Sequence, residues 1–227
     1  MLVSKLLSKA IKLWLKSQVS TIQDLDIAIL SENKQILQGN IAQVLIKATH
    51  VIYQDLHLSR LGIDGTNIKF DLSKVIKQKS FRLQELIKVD LEIYLSASDL
   101  QHSCTSKILS SALTEIWCHF LKQSHRQNLC LDEYYQWKNL SILASGIVIQ
   151  GYFKRQEHLD CLKLKTQVEL GDPHTLLLTP KEIITSEDLP VITNETLTFD
   201  LGEEVKINFL EITEEQISLQ GEITIYP

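Results

Sequence analysis

Proline is scarce in this chain and comes late. Of 227 residues only four are proline, and the first is Pro173. The long stretch before it has no proline-marked linker, which argues for one domain over residues 1–227 rather than two on a string. Cysteine is equally sparse. Cys104, Cys118, Cys130 and Cys161 form no C-x-x-C pair, and a chain of this length builds enough core to fold without cross-links, so free thiols in a reducing compartment are expected. No run of eighteen apolar residues occurs, and lysines break up the first eighteen positions too often for a signal-peptide core. The expected location is therefore cytoplasmic or peripheral to a membrane. An excess of positive charge is missing too. The 23 Lys and Arg stand against 28 Asp and Glu, a formal charge of −5, so nucleic acid is not the expected partner. The eight glycines build neither a Walker loop nor a dinucleotide fingerprint, and no G-x-S-x-G elbow is present. No catalytic residue and no cofactor is assigned, and the expectation is a protein that is not an enzyme.

What the chain does have is periodicity. Residues 2–18 predict a helix on which Leu2, Val3, Leu6, Leu7, Ala10, Ile11, Leu13 and Trp14 span about half the circumference. Lys5, Lys9, Lys12 and Lys16 form a narrow stripe outside that arc. Residues 22–95 read as strands. Asp64-Gly65 reads as a hairpin turn between two of them, and His50 falls on the apolar side of a long strand as a core histidine. Ile87, Val89, Leu91, Ile93 and Leu95 alternate with Lys88, Asp90, Glu92 and Tyr94. Ser96-Ala-Ser-Asp99 then forms a capping box. A helix over 98–123 follows, with Ile108, Leu109, Ala112, Leu113, Ile116 and Phe120 on one stripe. Strand and helix are joined so tightly that they are expected to cover each other. Strands return over 136–227, with a short helix near Pro180. The one-sided alternation suits antiparallel sheet with one wet face, covered elsewhere by the two helices, an α+β arrangement.

Several chemistries fit poorly. Cys118, His119, His125 and Cys130 have ligand chemistry but no zinc-finger spacing, so no metal site is assigned. Tyr134, Tyr135 and Trp137 read as core or rim aromatics rather than a base-stacking platform. The N-terminal helix admits two readings. Its lysines and Trp14 suit the interface of an anionic membrane, and the same arc suits a helix packed on the sheet with a solvated lysine edge. The apolar strand faces also admit two. They could solvate an acyl chain, each buried methylene contributing about 0.8 kcal/mol, or be filled by side chains at native density. The residues by themselves favour the filled reading.

Leu95-Ser-Ala-Ser-Asp-Leu100, followed by Ser103, Ser106, Leu109 and Ala112-Leu113, resembles the signature of the LmeA-like phospholipid-binding family. Gly39-Asn-Ile41, Val51-Ile-Tyr53, Leu56-His-Leu58, Gly65-Thr-Asn-Ile-Lys-Phe70-Asp-Leu72 and the closing Gly221-Glu-Ile-Thr-Ile-Tyr-Pro227 are similar to it as well. Cys104 and Lys107 depart from the pattern, standing where Leu and a small residue or Pro are usual. The resemblance implies a strongly curved antiparallel sheet wrapped around one long helix, phospholipid binding, association with a bacterial envelope or membrane, and no catalytic residues. On this reading the expected lipid-lining residues are Val44, Ile46, Ile68, Phe70, Val89, Leu91, Ile93, Leu109, Leu113 and Ile116. The expected membrane contacts are Lys5, Lys9, Lys12, Trp14 and Lys16. The alternative is an interaction module with a filled core that docks a protein partner through helix 2–18.

Overall fold

The computed structural model describes residues 2–78, 80–123, 134–155, 158–185 and 195–227. Two open antiparallel sheets form the framework. The first has six strands in the order β1 (Leu25–Leu30), β2 (Asn40–Tyr53), β3 (Leu56–Lys69), β4 (Ile87–Ser96), β11 (Gln216–Ile225), β10 (Val205–Ile212). The second has five in sequence order: β5 (Tyr134–Leu143), β6 (Gly146–Arg155), β7 (His158–Asp172), β8 (Thr175–Thr185), β9 (Leu197–Asp200). Helices α1 (Leu2–Gln18), α2 (Asn33–Leu37) and α3 (Leu72–Gln78) serve the first sheet, and α5 (Lys107–Gln123) serves the second. The short helix α4 (Ala97–Ser103) joins the two.

This corrects the expectation of one strongly curved sheet wrapped around a long helix. Among the described residues the chain makes two sheets, each with its own apolar cluster and its own helical cover. The expected helix 98–123 is not continuous. It breaks at Cys104–Ser106, where turns replace it and the Ser106 hydroxyl accepts the Leu109 amide to start α5. Hydroxyl side chains compete for backbone hydrogen bonds, so a Ser-Cys-Thr-Ser run is a natural place to end one helix and cap the next. The break redirects the chain. Ile87 and Val89 of β4 lie in the first cluster, whereas Leu113, Ile116, Trp117 and Phe120 of α5 lie in the second. Strand β4 and the helix after it therefore do not cover each other.

Three local readings also change. Asp64-Gly65 is not a turn: β3 runs straight through it, with Asp64 opposite Leu45 and Gly65 opposite Val44. The hairpin turn is Gln54-Asp55, whose φ values of 47° and 64° give the doubly left-handed geometry favoured by two-residue hairpins. His50 takes a φ of 47° and points to solvent, while Ala48 and Val51 on either side are buried. Pro180 is buried within β8, beside a register shift at Lys165/Thr166, and starts no helix.

The sheets are stitched by polar groups around α4. The Gln101 side chain donates to the Lys138 carbonyl and accepts the Leu140 amide, both of β5, at 2.9 Å. The buried Ser103 hydroxyl accepts the His57 amide of β3 at 2.8 Å. Farther along, the Ile207 amide of β10 donates to the Pro173 carbonyl at 2.7 Å.

Candidate functional site

Helix α1 lies over the inward side of the first sheet because its apolar residues recur at helical spacing. Leu7, Ala10 and Ile11 are buried, and Trp14 and Leu15 are half-buried against the same cluster. Opposite them the pleat brings Ile63 of β3 between Ile46 of β2 and Leu91 of β4. A cavity of about 80 Å³ remains between helix and sheet, with no polar surface in its lining. Its walls are Ile11, Trp14 and Leu15 on the helix side and Val44, Ile46, Ile63 and Val89 on the sheet side. Ile68, Phe81, Leu83, Ile87 and Ile225 complete them.

Gly65 keeps the sheet floor low. A methyl group there would meet Ile68 Cδ1 at 3.1 Å, Val89 Cγ1 at 3.2 Å and Val44 Cγ1 at 3.4 Å, all on cavity-lining residues. Larger depressions lie elsewhere but have different chemistry. One of about 370 Å³ on the outer side of the first sheet is flanked by Lys47, Asp64, Asp90 and Glu92. Leu45 and Leu91 line it too, but an acyl chain there would lie beside four charged groups, which the cavity under α1 does not present.

The second compartment is built differently. Leu113, Ile116, Trp117 and Phe120 pack onto Trp137, Leu140, Ile149 and Leu164. The Trp137 indole N–H donates to the Ser110 carbonyl at 3.2 Å and the Thr114 hydroxyl at 3.1 Å, so α5 is tied to its sheet by directional bonds. Helix α1 shows no such tie among its described side chains. Among the described residues its side-chain hydrogen bonds, from Ser17 to Trp14 and from Gln18 to Ser17, stay within the helix.

The ten residues expected to line one groove are thus divided. Val44, Ile46, Ile68 and Val89 line the cavity under α1, and Phe70 and Leu91 belong to the same cluster. Leu109, Leu113 and Ile116 lie in the second cluster, and Ile93 is half-buried in β4 outside both. The other eight walls were not among the expected lining residues, and Ile63, Phe81 and Leu83 show why. Ile63 was hidden by the false turn beside it, and the other two by the irregular basic segment around them. The membrane-contact set is divided as well. Lys5, Lys9, Lys12 and Lys16 are exposed, whereas Trp14 turns inward with its ring 5.6 Å from that of Phe81.

The Ser96–Asp99 box is confirmed in atomic detail. The Ser96 hydroxyl accepts the Asp99 amide at 3.1 Å, and Asp99 Oδ2 accepts the Ser96 amide at 2.8 Å. The same carboxylate accepts the Ser59 hydroxyl of β3. Burial pushes the Asp99 pKa up, but hydrogen bonds from the Ser59 hydroxyl and from the Ser96 hydroxyl and amide outweigh it, and the net shift is downward. This cluster pins α4 to the first sheet. Among the described residues no group of three His, Cys, Asp or Glu is placed to hold a metal. His125 and Cys130 lie outside the described residues. Burial raises the Cys104 pKa, which suits a buried, unreactive thiol.

A family model for LmeA-like phospholipid-binding proteins matches residues 2–222. The chain belongs to the LmeA-like phospholipid-binding family. The match runs from α1 into β11 and takes in both compartments. No curated protein and no solved structure matches the chain. No described helix of this family member is long and apolar enough to cross a membrane.

Proposed function

We propose that the protein binds the acyl part of a phospholipid, without catalysing a reaction, on the apolar face of the six-stranded sheet that α1 covers, and does so at a membrane surface. The observation that carries this reading is the wholly apolar cavity under α1 in a member of a phospholipid-binding family. Its walls offer an acyl chain dispersion contacts and no polar group to desolvate. Each methylene taken from water contributes about 0.8 kcal/mol. Helix α1 is about 25 Å long at 1.5 Å per residue, and one leaflet of hydrocarbon is about 15 Å thick, so the cover is long enough for a whole chain. The alternative, a filled module that docks a protein through α1, is weakened by the use of Leu7, Ala10 and Ile11 against the chain's own sheet.

The test is organic extraction of the purified protein followed by mass spectrometry. Phospholipid in about equimolar amount is the expected result. A lipid-free extract, together with no uptake of a short-chain phosphatidylcholine offered below its micelle concentration, overturns the reading.

A further inference from the structure

The outer side of the helical layer differs from the rest of the molecule in charge. Helices α1 and α3 carry six lysines and no acidic residue, in a chain whose formal charge is −5. Lys5, Lys9, Lys12, Lys16 and Lys77 are exposed. Beside α3, Asp71 accepts the Ser73 hydroxyl and the Lys74 amide. After α1 come Asp24, which accepts the Thr49 hydroxyl, then Asp26, and Glu32 at the N-cap of α2.

Apolar side chains accompany this charge. Leu6 is 44% exposed and Leu13 48% exposed. They sit roughly 110–130° around the helix from its buried side, next to the lysine stripe. Helix α1 packs against both α2 and α3, which add the exposed Leu37 and Ile76. Four of the ten exposed large apolar side chains among the described residues therefore lie on three helices of one layer. Apolar side chains beside lysines are what a helix lying in the interface of an anionic bilayer presents.

We propose that the outer side of the α1–α3 layer is a docking surface for an anionic bilayer, and that docked α1 leaves the groove to the entering lipid. The second half rests on the acyl-chain reading above. Two observations support it. The cavity of about 80 Å³ is well short of the ~300 Å³ at which small-molecule pockets begin, so an acyl chain fits only if its cover moves. Among the described residues the cover is held by apolar contact without a side-chain hydrogen bond to the sheet, unlike α5. A helix face of Leu, Ile and Trp can be replaced by hydrocarbon with little change in apolar burial, and Leu6 and Leu13 give the displaced helix an apolar seat in the interface.

The test compares the wild-type chain with K9E/K12E and, separately, L6Q/L13Q. Each is offered vesicles of phosphatidylcholine with phosphatidylglycerol, vesicles of phosphatidylcholine alone, and a monomeric short-chain phosphatidylcholine. Wild type is expected to sediment with the mixed vesicles only. Both variants are expected to lose about tenfold or more of that binding while still taking up the monomeric lipid. Circular dichroism verifies that they fold. Unchanged vesicle binding in both variants, with lipid uptake intact, overturns the docking surface and leaves the acyl-chain reading standing. If no protein takes up monomeric lipid but vesicle binding follows the lysines, the docking surface stands and the release of α1 falls with the acyl-chain reading.

Discussion

Trp14→Ala separates a helix that competes with lipid from a helix that helps to bind it. The Trp14 ring is half-buried, lines the cavity and packs on Phe81. Truncating a fully buried tryptophan costs about 3–5 kcal/mol, so half-burial makes about 2 kcal/mol the working figure for the α1–sheet contact. If lipid binds only when α1 is away, the cost of removing α1 is part of the measured affinity. Lowering that cost by about 2 kcal/mol raises the apparent affinity about 30-fold, at 1.4 kcal/mol per factor of ten. The substitution should thus weaken the protein and strengthen its lipid binding together. Calorimetric titration with a monomeric short-chain phosphatidylcholine gives the affinity, and urea unfolding gives the stability. An affinity that falls, beside the expected loss of stability, would mean that Trp14 contacts the ligand and that α1 does not give way. An affinity that stays level would mean that α1 and the lipid do not compete for one face.

Each compartment contains its own tryptophan, which allows the ligand to be located. A phospholipid brominated on its acyl chain should quench the tryptophan introduced by Phe81→Trp, at a cavity wall outside α1, in a Trp14→Phe background and spare Trp117 and Trp137; quenching of Trp117 and Trp137 instead would place the ligand under α5. Gly65→Ala adds one methyl beside the void, worth about 0.8 kcal/mol plus a smaller gain from a less flexible unfolded chain. Thermal unfolding should rise by about 2–4 °C, and a fall would show that Ile68, Val89 and Val44 have no room to yield. Asp99→Ala should destabilise the protein near neutral pH. The Asp99 pKa is lowered on folding, so its contribution is present above the unfolded value of about 3.9 and disappears as pH falls through the lower folded value. Urea unfolding of both proteins should therefore converge toward acid, and a constant gap from pH 7 downward would refute the role of the carboxylate.

Short-range signals were legible in this sequence. The alternation of β4, the Ser96 cap and the helical spacing of α1 follow from local rules, and the structure has all three. Pairing over long distances was not. Nothing in the α5 stripe says which sheet it will cover, because an apolar stripe is complementary to any apolar face. The outcome was decided by the break at Cys104–Ser106, where hydroxyls take up backbone bonds, and by the Trp137 indole reaching Ser110 and Thr114. The Asp64-Gly65 reading failed for a related reason. A glycine that leaves space beneath a helix and a glycine that permits a turn look the same in one sequence, and it is at Gln54-Asp55, ten residues earlier, that the chain turns. For the candidate site, pattern gave the sheet-side residues Val44, Ile46, Ile68 and Val89. It placed Trp14 on the apolar arc of α1 but left its direction open, since an amphipathic arc wider than the face it covers does not reveal which edge is buried.

That excess width is the most informative property of α1. A helix that only completes a core needs one apolar side, and the sheet here covers Leu7, Ala10, Ile11, Trp14 and Leu15. Leu6 and Leu13 are only partly covered by the fold and keep nearly half their surface in water. Such residues cost solubility, and a lone exposed leucine needs no explanation. Two at a spacing of seven, flanked by four lysines, form a second amphipathic side on the same helix. On the proposed reading one side matches a sheet and the other a bilayer surface, which gives the helix two places to be. The small apolar void, the glycine beneath it and the absence of polar ties among the described residues all keep the difference between those places small. A helix pinned as α5 is pinned could not exchange. The contrast between the two covers therefore stands beside the apolar cavity as the reason for proposing the first sheet, and not the second, as the lipid's seat.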